Sequence, residues 1–130
     1  MAKKRTGAYN RRRGHTFETK IAKELRELGY KGVVTSRSES KRMDDNKVDI
    51  IDTENKLPVN IQIKKTIATP NYFKIRSDST VNPETFVIIW AKQEPKEKNI
   101  ITVGEVVIMD KLLFYKLIKP YADGESASNI

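Results

Sequence analysis

Asp49, Gln62 and Lys64 sit on two short apolar, β-branched segments separated by Asn55-Lys56. With those two residues as the turn, Asp49 lies opposite Gln62, Ile50 opposite Ile61, and Val48 opposite Ile63. Side chains alternate along a strand, so Val48, Ile50, Ile61 and Ile63 collect on one face, and Asp49, Gln62 and Lys64 on the other. Opposed Cβ atoms stand roughly 4.5–5.5 Å apart, which brings a carboxylate, an amide oxygen and an ammonium within reach of one shared ion. The plainer alternative is an Asp49–Lys64 ion pair at a strand edge. Asn-Lys is a weaker turn signal than Asn-Gly, and a slip of one residue scatters the cluster. Glu18 adds a second carboxylate. At about 100° per residue it falls between Leu25 and Ala22, inside an arc with Phe17, Ile21 and Leu28. An acid on a buried stripe is costly unless it is paired or ligates a metal. A half-exposed place in the first helical turn, favoured by the dipole, is the alternative.

The elements that must position these groups follow from periodicity and punctuation. Thr16 is expected to cap a helix running to about Leu28 and stopping at Gly29, with Lys20, Lys23, Arg26 and Glu27 on its wet side. A strand is predicted over 31–35, then a very polar loop over 36–46, then strands over 47–53 and 57–66. Pro70 and Pro83 bracket a segment that holds either a short helix or an irregular excursion. Residues 85–92, with Phe86 and Trp90, read as a buried strand, 95–99 as a charged turn, and 100–109 as a strand broken at Gly104. Asp110 caps a last helix over 111–119, stopped by Pro120, whose packing face is Leu112, Leu113, Phe114, Leu117 and Ile118. The expected class is α/β, a central mixed β-sheet flanked by helices.

Composition bounds the rest. The chain has 130 residues, with 25 Lys and Arg against 17 Asp and Glu, a net charge of +8. That length supports one core without a disulfide or structural metal. The absence of cysteine excludes disulfide scaffolds, thiolate zinc sites and cysteine nucleophiles. The longest apolar run, Phe86 to Ala91, is too short to span a bilayer, and the basic start lacks an apolar signal core, so a cytoplasmic, DNA-associated protein is expected. Residues 1–17 contain Lys3, Lys4, Arg5, Arg11, Arg12 and Arg13 and no acid. Residues 1–13 are expected to form a flexible basic arm, 14–121 the domain, and 122–130 a frayed tail. A solvated tail is one reading of the arm. A polyanion contact is the sharper one, and nucleic acid fits it best because each neutralised phosphate releases counterions. A membrane would want apolar anchors among the cations, and only Tyr9 is offered. Arg37, Lys41 and Arg42 in the polar loop are further candidates for phosphate contacts. His15, the only histidine, stands beside the expected cap and is assigned no metal or catalytic role.

The order helix-Glu, strand, loop, Asp on a strand, then a Gln-x-Lys strand resembles the PD-(D/E)xK nuclease superfamily, and within it archaeal-type Holliday junction resolvases. The matching stretches are Gly14-His-Thr-Phe-Glu18, Leu28-Gly-Tyr-Lys-Gly-Val-Val34, Val48-Asp-Ile-Ile51 and Asn60-Ile-Gln-Ile-Lys-Lys-Thr66, roughly the first half of the chain. The resemblance implies a restriction-endonuclease-like fold and a metal-dependent, structure-selective DNA endonuclease of recombination and repair. It also implies a homodimer acting on four-way junctions. Carried over, Glu18 and Asp49 bind Mg2+, with Mn2+ as a substitute, alongside Gln62 and the carbonyl of Ile63. Lys64 serves the attacking water, Ser36 (before Ser38 or Ser40) matches the family's loop serine, and Lys65 joins the basic residues on DNA. Two positions depart from the pattern: Val48 replaces the proline before Asp49, and Gln62 stands where most members have Glu. The amide oxygen still ligates, with one negative charge fewer and weaker metal binding as the consequence. Rival readings are another restriction-like or repair nuclease of the superfamily, or a non-catalytic nucleic-acid-binding protein with this fold.

Overall fold

The computed structural model describes residues 7–36, 49–79 and 81–122. Its elements in chain order are α1 (Gly7–Leu28), β1 (Val33–Thr35), β2 (Ile50–Asp52), β3 (Asn60–Thr66), α2 (Tyr72–Asp78), β4 (Phe86–Lys96), β5 (Asn99–Met109) and α3 (Lys111–Ile118). The class is mixed α/β. Strands β1 and β2 pair antiparallel as one small sheet, and β3, β4 and β5 form a second in that spatial order. Strands β3 and β4 are parallel, whereas β4 and β5 form an antiparallel hairpin.

Local chemistry explains most boundaries. Helix α1 begins at Gly7, well before Thr16, so Thr16 is inside the helix and caps nothing. Its first turns run through Arg11, Arg12 and Arg13, the second half of the expected arm. The helix ends at the predicted glycine. Gly29 has φ 121°, its N–H bonds to Arg26 O, and the Tyr30 N–H reaches back to Leu25 O. This pair of bonds closes the helix with a left-handed residue that only glycine adopts cheaply. Asp110 caps α3 by accepting the Leu112 N–H at 2.8 Å. The unsettled segment after β3 holds α2, capped by Asn71 through the Lys74 N–H. Gly104 does not break β5. Lys92 pairs with Gly104 and Gln93 with Thr102, leaving Val103 as the extra residue of a bulge.

The three-stranded sheet is covered on both faces. On one side Phe17, Ile21 and Ala22 of α1 and Leu113 of α3 pack with Ile61, Ile63, Val87 and Ala91, joined by Val33 and Ile50 of the small sheet. On the other side Tyr72 of α2 packs with Phe86 and Ile88, and Trp90 lies against them. The Tyr72 hydroxyl donates to Phe86 O and fastens α2 to the sheet. Two expectations about apolar faces are corrected. Leu28 is 75% exposed, because Leu25 is the last helix residue seated on the core. On α3 only Leu113 and Leu117, one turn apart, face inward. Leu112, at 71% exposure, lies outside with Phe114, Tyr115 and Ile118.

The hairpin expected around Asn55-Lys56 is also corrected. No ladder joins β2 to β3; they belong to different sheets. Asp52 ends β2, and its carboxylate accepts the N–H groups of Glu54, Lys56 and Leu57 at 2.9, 2.8 and 2.9 Å. Such an aspartate turn draws residues 53–59 into a loop instead of strand, and the proline at position 58 cannot donate to a ladder in any case. Partial burial pushes the Asp52 carboxyl up. The three backbone donors, helped by the Lys56 charge, outweigh it and hold the carboxyl below its ordinary value. Asn55, at φ 56°, completes the turn with its N–H on Asp52 O.

Candidate functional site

Asp49 is the joint between the two sheets. Its backbone carbonyl accepts the Ser36 N–H at 2.8 Å, and its own N–H donates to Ile61 O at 2.9 Å. Its carboxylate Oδ2 accepts the Ile63 N–H at 2.7 Å. The first bond continues the β1–β2 register, in which Val33 opposes Asp52 and Thr35 opposes Ile50, by one more step. Ser36 and Asp49 are therefore cross-strand neighbours on one face, with Cβ atoms expected about 5 Å apart. The other two bonds attach Asp49 to the free edge of β3, the one turned away from β4. A strand residue presents its N–H and C=O to the same edge, so the carbonyl of Ile63 is directed to the side where the Asp49 carboxylate lies.

A hairpin is what the sequence predicts for bringing Asp49, Gln62 and Lys64 to one face. The alternation survives although the hairpin does not. Ile50, Ile61 and Ile63 share one core cluster, which turns Asp49, Gln62 and Lys64 to the opposite side of their strands. In the parallel register Gln62 sits beside Ile88 and Lys64 beside Trp90. Gln62 is buried at 6% exposure, and its Oε1 has no hydrogen-bond partner among the described residues; the same holds for Oγ of the fully buried Ser36. Lys64 is half-buried. Lys65 points the other way, its ammonium 5.8 Å from the centre of the Phe17 ring, and so does not share a face with Lys64.

Glu18 lies on α1, which packs on the face of β3 that carries Ile61 and Ile63. The helix is tied at two points: Arg26 Nη1 donates to Val33 O at 2.9 Å, and Lys20 Nζ bonds Glu105 Oε2 of β5 at 2.6 Å. The Glu105 hydrogen bond raises the Lys20 ammonium's pKa against a smaller opposing effect of burial, with the charges of Glu105 and Glu24 adding to the rise. Just before those ties Glu18 is 5% exposed, among the buried Phe17, Ile21 and Ala22. The exposed first-turn alternative is thereby removed, since Glu18 lies in the middle of a long helix and is buried. His15 Nδ1 stands 3.9 Å from Glu18 Oε2, a neighbour the sequence argument passed over because it placed the helix start at Thr16.

No protein-family model, curated protein or solved structure matches this chain. Among the described residues no three His, Cys, Asp or Glu side chains gather into a metal cluster. The oxygen donors around Ile63 are the Asp49 carboxylate, the amide oxygen of Gln62 and the Ile63 carbonyl, and Glu18 is a second buried carboxylate on α1. That set fits Mg2+, which takes oxygen ligands, keeps several waters and usually needs only one or two carboxylates. Gln62 Oε1, buried and without a donor among the described residues, is the acceptor such an ion would serve, because a buried acceptor without a donor costs stability unless a cation or water serves it. A groove of about 620 Å3 lies elsewhere, lined by residues such as Arg76, Pro83, Leu112, Tyr115 and Lys119, and none of the predicted site residues borders it. Lys3, Lys4, Arg5, Arg37, Lys41, Arg42 and Val48 lie outside the described residues. Among the described residues no helix is long and apolar enough to cross a membrane.

Proposed function

We propose that this chain is a metal-dependent DNA endonuclease with a restriction-endonuclease-like fold, of the Holliday junction resolvase type. The observation that carries the reading is the seat of Asp49. A buried carboxylate on the free edge of β3 is held by the Ile63 N–H, between the residues of a Gln-x-Lys strand and opposite a buried serine. Glu18 and Asp49 supply the negative charge that holds Mg2+ or Mn2+, and Gln62 Oε1 and the Ile63 carbonyl complete the protein's oxygen donors. Bound there, the cation lowers the pKa of a coordinated water and neutralises charge on the scissile phosphate. Lys64 sets a positive charge beside the same phosphate, where charge builds up in the transition state. The basic arm and α1 hold the polyanion, largely without regard to sequence.

A junction must be cut twice, on opposed strands, and one domain with one site makes one cut at a time. A two-fold homodimer is the simplest assembly with two related sites. Among the described residues β5 is the outer strand of its sheet and exposes Val103, Val106 and Val107, and α3 exposes Leu112, Phe114, Tyr115 and Ile118. An open apolar edge of this kind is what self-pairing uses.

The deciding experiment is cleavage of an immobile four-way junction and of linear duplex, with Mg2+ or Mn2+, by the wild type and by Asp49→Asn. Asparagine keeps an oxygen for the Ile63 N–H and removes only the charge, so the fold is retained. The expected result is paired symmetric nicks by a wild-type dimer, and binding without cleavage by the variant. Full cleavage by Asp49→Asn removes Asp49 from the site. A monomer that cuts junction and duplex equally refutes the resolvase reading, and wild-type binding without cleavage in either metal assigns a non-catalytic nucleic-acid-binding role.

A further inference from the structure

The face of the three-stranded sheet that carries Gln62 and Lys64 is only partly covered. Residues paired across the strands share this face in rows: Gln62, Ile88 and Ile108, then Lys64, Trp90 and Val106, then Thr66, Lys92 and Gly104. Tyr72 and Ile75 of α2, with Val81, pack over Ile88 and Ile108 of the first row. The cover ends there. Ile88 is fully buried, whereas Val106, one row on, is 51% exposed, and a side chain at Gly104 would meet nothing within 4 Å. Trp90, the only tryptophan of the chain, stands half-buried at that boundary, beside Lys64. Its indole is fixed in place. Nε1 donates to Thr66 O at 3.2 Å and to Thr66 Oγ1 at 3.0 Å, which draws the ring across toward β3. Lys92 Nζ, which donates to the Ile67 carbonyl, lies 5.6 Å from the ring centre, and neither open row contains an acid.

We propose that Trp90 is a stacking platform for one unpaired base next to the scissile phosphate, so that the site takes a strand leaving the duplex at a branch point in preference to continuous duplex. This rests on the nuclease reading above, which sets Lys64 beside that phosphate. Neighbouring strands lie about 4.8 Å apart, so Trp90 is one strand spacing from Lys64 on the same face. A fixed aromatic ring flanked by cations suits a single strand: bases of any identity stack on the ring, and the cations serve the backbone. Lys64 and Lys92, with no acid in their rows, complement a phosphate chain. A base inside a duplex has both faces covered by its neighbours. Only an unpaired or extruded base has a face to offer the indole.

The test uses the full chain in EDTA and three probes: a linear duplex, the same duplex with a single-stranded flap, and heparin, a polyanion without bases. With one tryptophan in the chain, the emission reports on Trp90 alone. At saturation the flap is expected to quench it strongly, and duplex and heparin to change it little. Flap DNA is expected to bind about tenfold more tightly than duplex, a preference that Trp90→Leu loses and Trp90→Phe keeps in part. Circular dichroism checks the fold of both variants, and where Trp90→Leu does not fold the wild-type emission decides. Bound flap DNA that leaves the emission unchanged, heparin that quenches it equally, or a folded Trp90→Leu with the full preference overturns the platform and leaves the nuclease reading standing. A wild type that binds neither DNA overturns both.

Discussion

Replacing Gln62 with methionine separates what the site costs the fold from what it does with a cation. Gln62 is 6% exposed, and its Oε1 has no hydrogen-bond partner among the described residues. A buried polar atom left in that state costs about 1–3 kcal/mol. Methionine has similar length and volume and carries no such acceptor, so the cavity term of a truncation does not arise. Losing the amide's donors offsets part of the gain, which leaves Gln62→Met more stable by about 1 kcal/mol in metal-free buffer. For a domain of this size that is a rise in Tm of about 3–6 °C. With divalent cation at a hundred times its Kd the wild type gains about 2.7 kcal/mol, because only the folded site binds. The variant, short of one ligand, gains less. The order of stability is therefore expected to invert between EDTA and saturating Mg2+ or Mn2+, as read by urea unfolding with the midpoint and slope fitted together. If Gln62→Met is less stable than the wild type by more than about 1 kcal/mol in EDTA, the amide oxygen is satisfied in the apo protein. If both proteins gain equally from the cation, Gln62 is not a ligand.

Two further outcomes are expected. Deleting residues 1–13 removes six cations, Lys3, Lys4, Arg5, Arg11, Arg12 and Arg13. If all six meet phosphates, the slope of log affinity against log salt for duplex binding falls by about five; an unchanged slope removes these six cations from the DNA contact. The Asp52 carboxyl is held below its ordinary value of 3.8 in the folded chain, so its contribution to stability is complete above that pH and is lost as pH falls through the lower folded value. The Tm difference between wild type and Asp52→Asn is therefore expected to be constant at neutral pH and to narrow on acidification below 3.8. A difference that does not narrow there assigns the effect to the turn's shape instead of its charge.

Those features of the chain that depend on a few neighbouring residues were legible in its sequence. The stop at Gly29 and the cap at Asp110 each need one residue with the right backbone freedom or side-chain oxygen, and the alternation of Phe86, Ile88 and Trp90 against Val87 and Ala91 needs only the pleat. The same alternation separates Gln62 and Lys64 from Ile61 and Ile63 on β3. The α/β class followed from the order of such segments. The hairpin was misread although its signal was present: Asp52, Asn55 and the proline at 58 are turn residues, and Asp52 binds three N–H groups of the loop that follows.

Other features were decided by contacts between residues far apart in the chain. Nothing near Asp49 in sequence announces that its carboxylate will serve the Ile63 N–H, or that Ser36 will stand opposite it. Nor does the periodicity of α1 reveal that the helix begins at Gly7 and so carries His15 on the turn before Glu18. On α3 an apolar run looks the same whether a layer covers it or not, and the fold covers Leu113 while leaving Leu112 and Phe114 outside. A short-range pattern states which face of an element is apolar. Which of those faces is buried, and which acids are brought to one edge, depends on how the two sheets and α1 pack, because burial is a property of the assembled layers and not of any one segment.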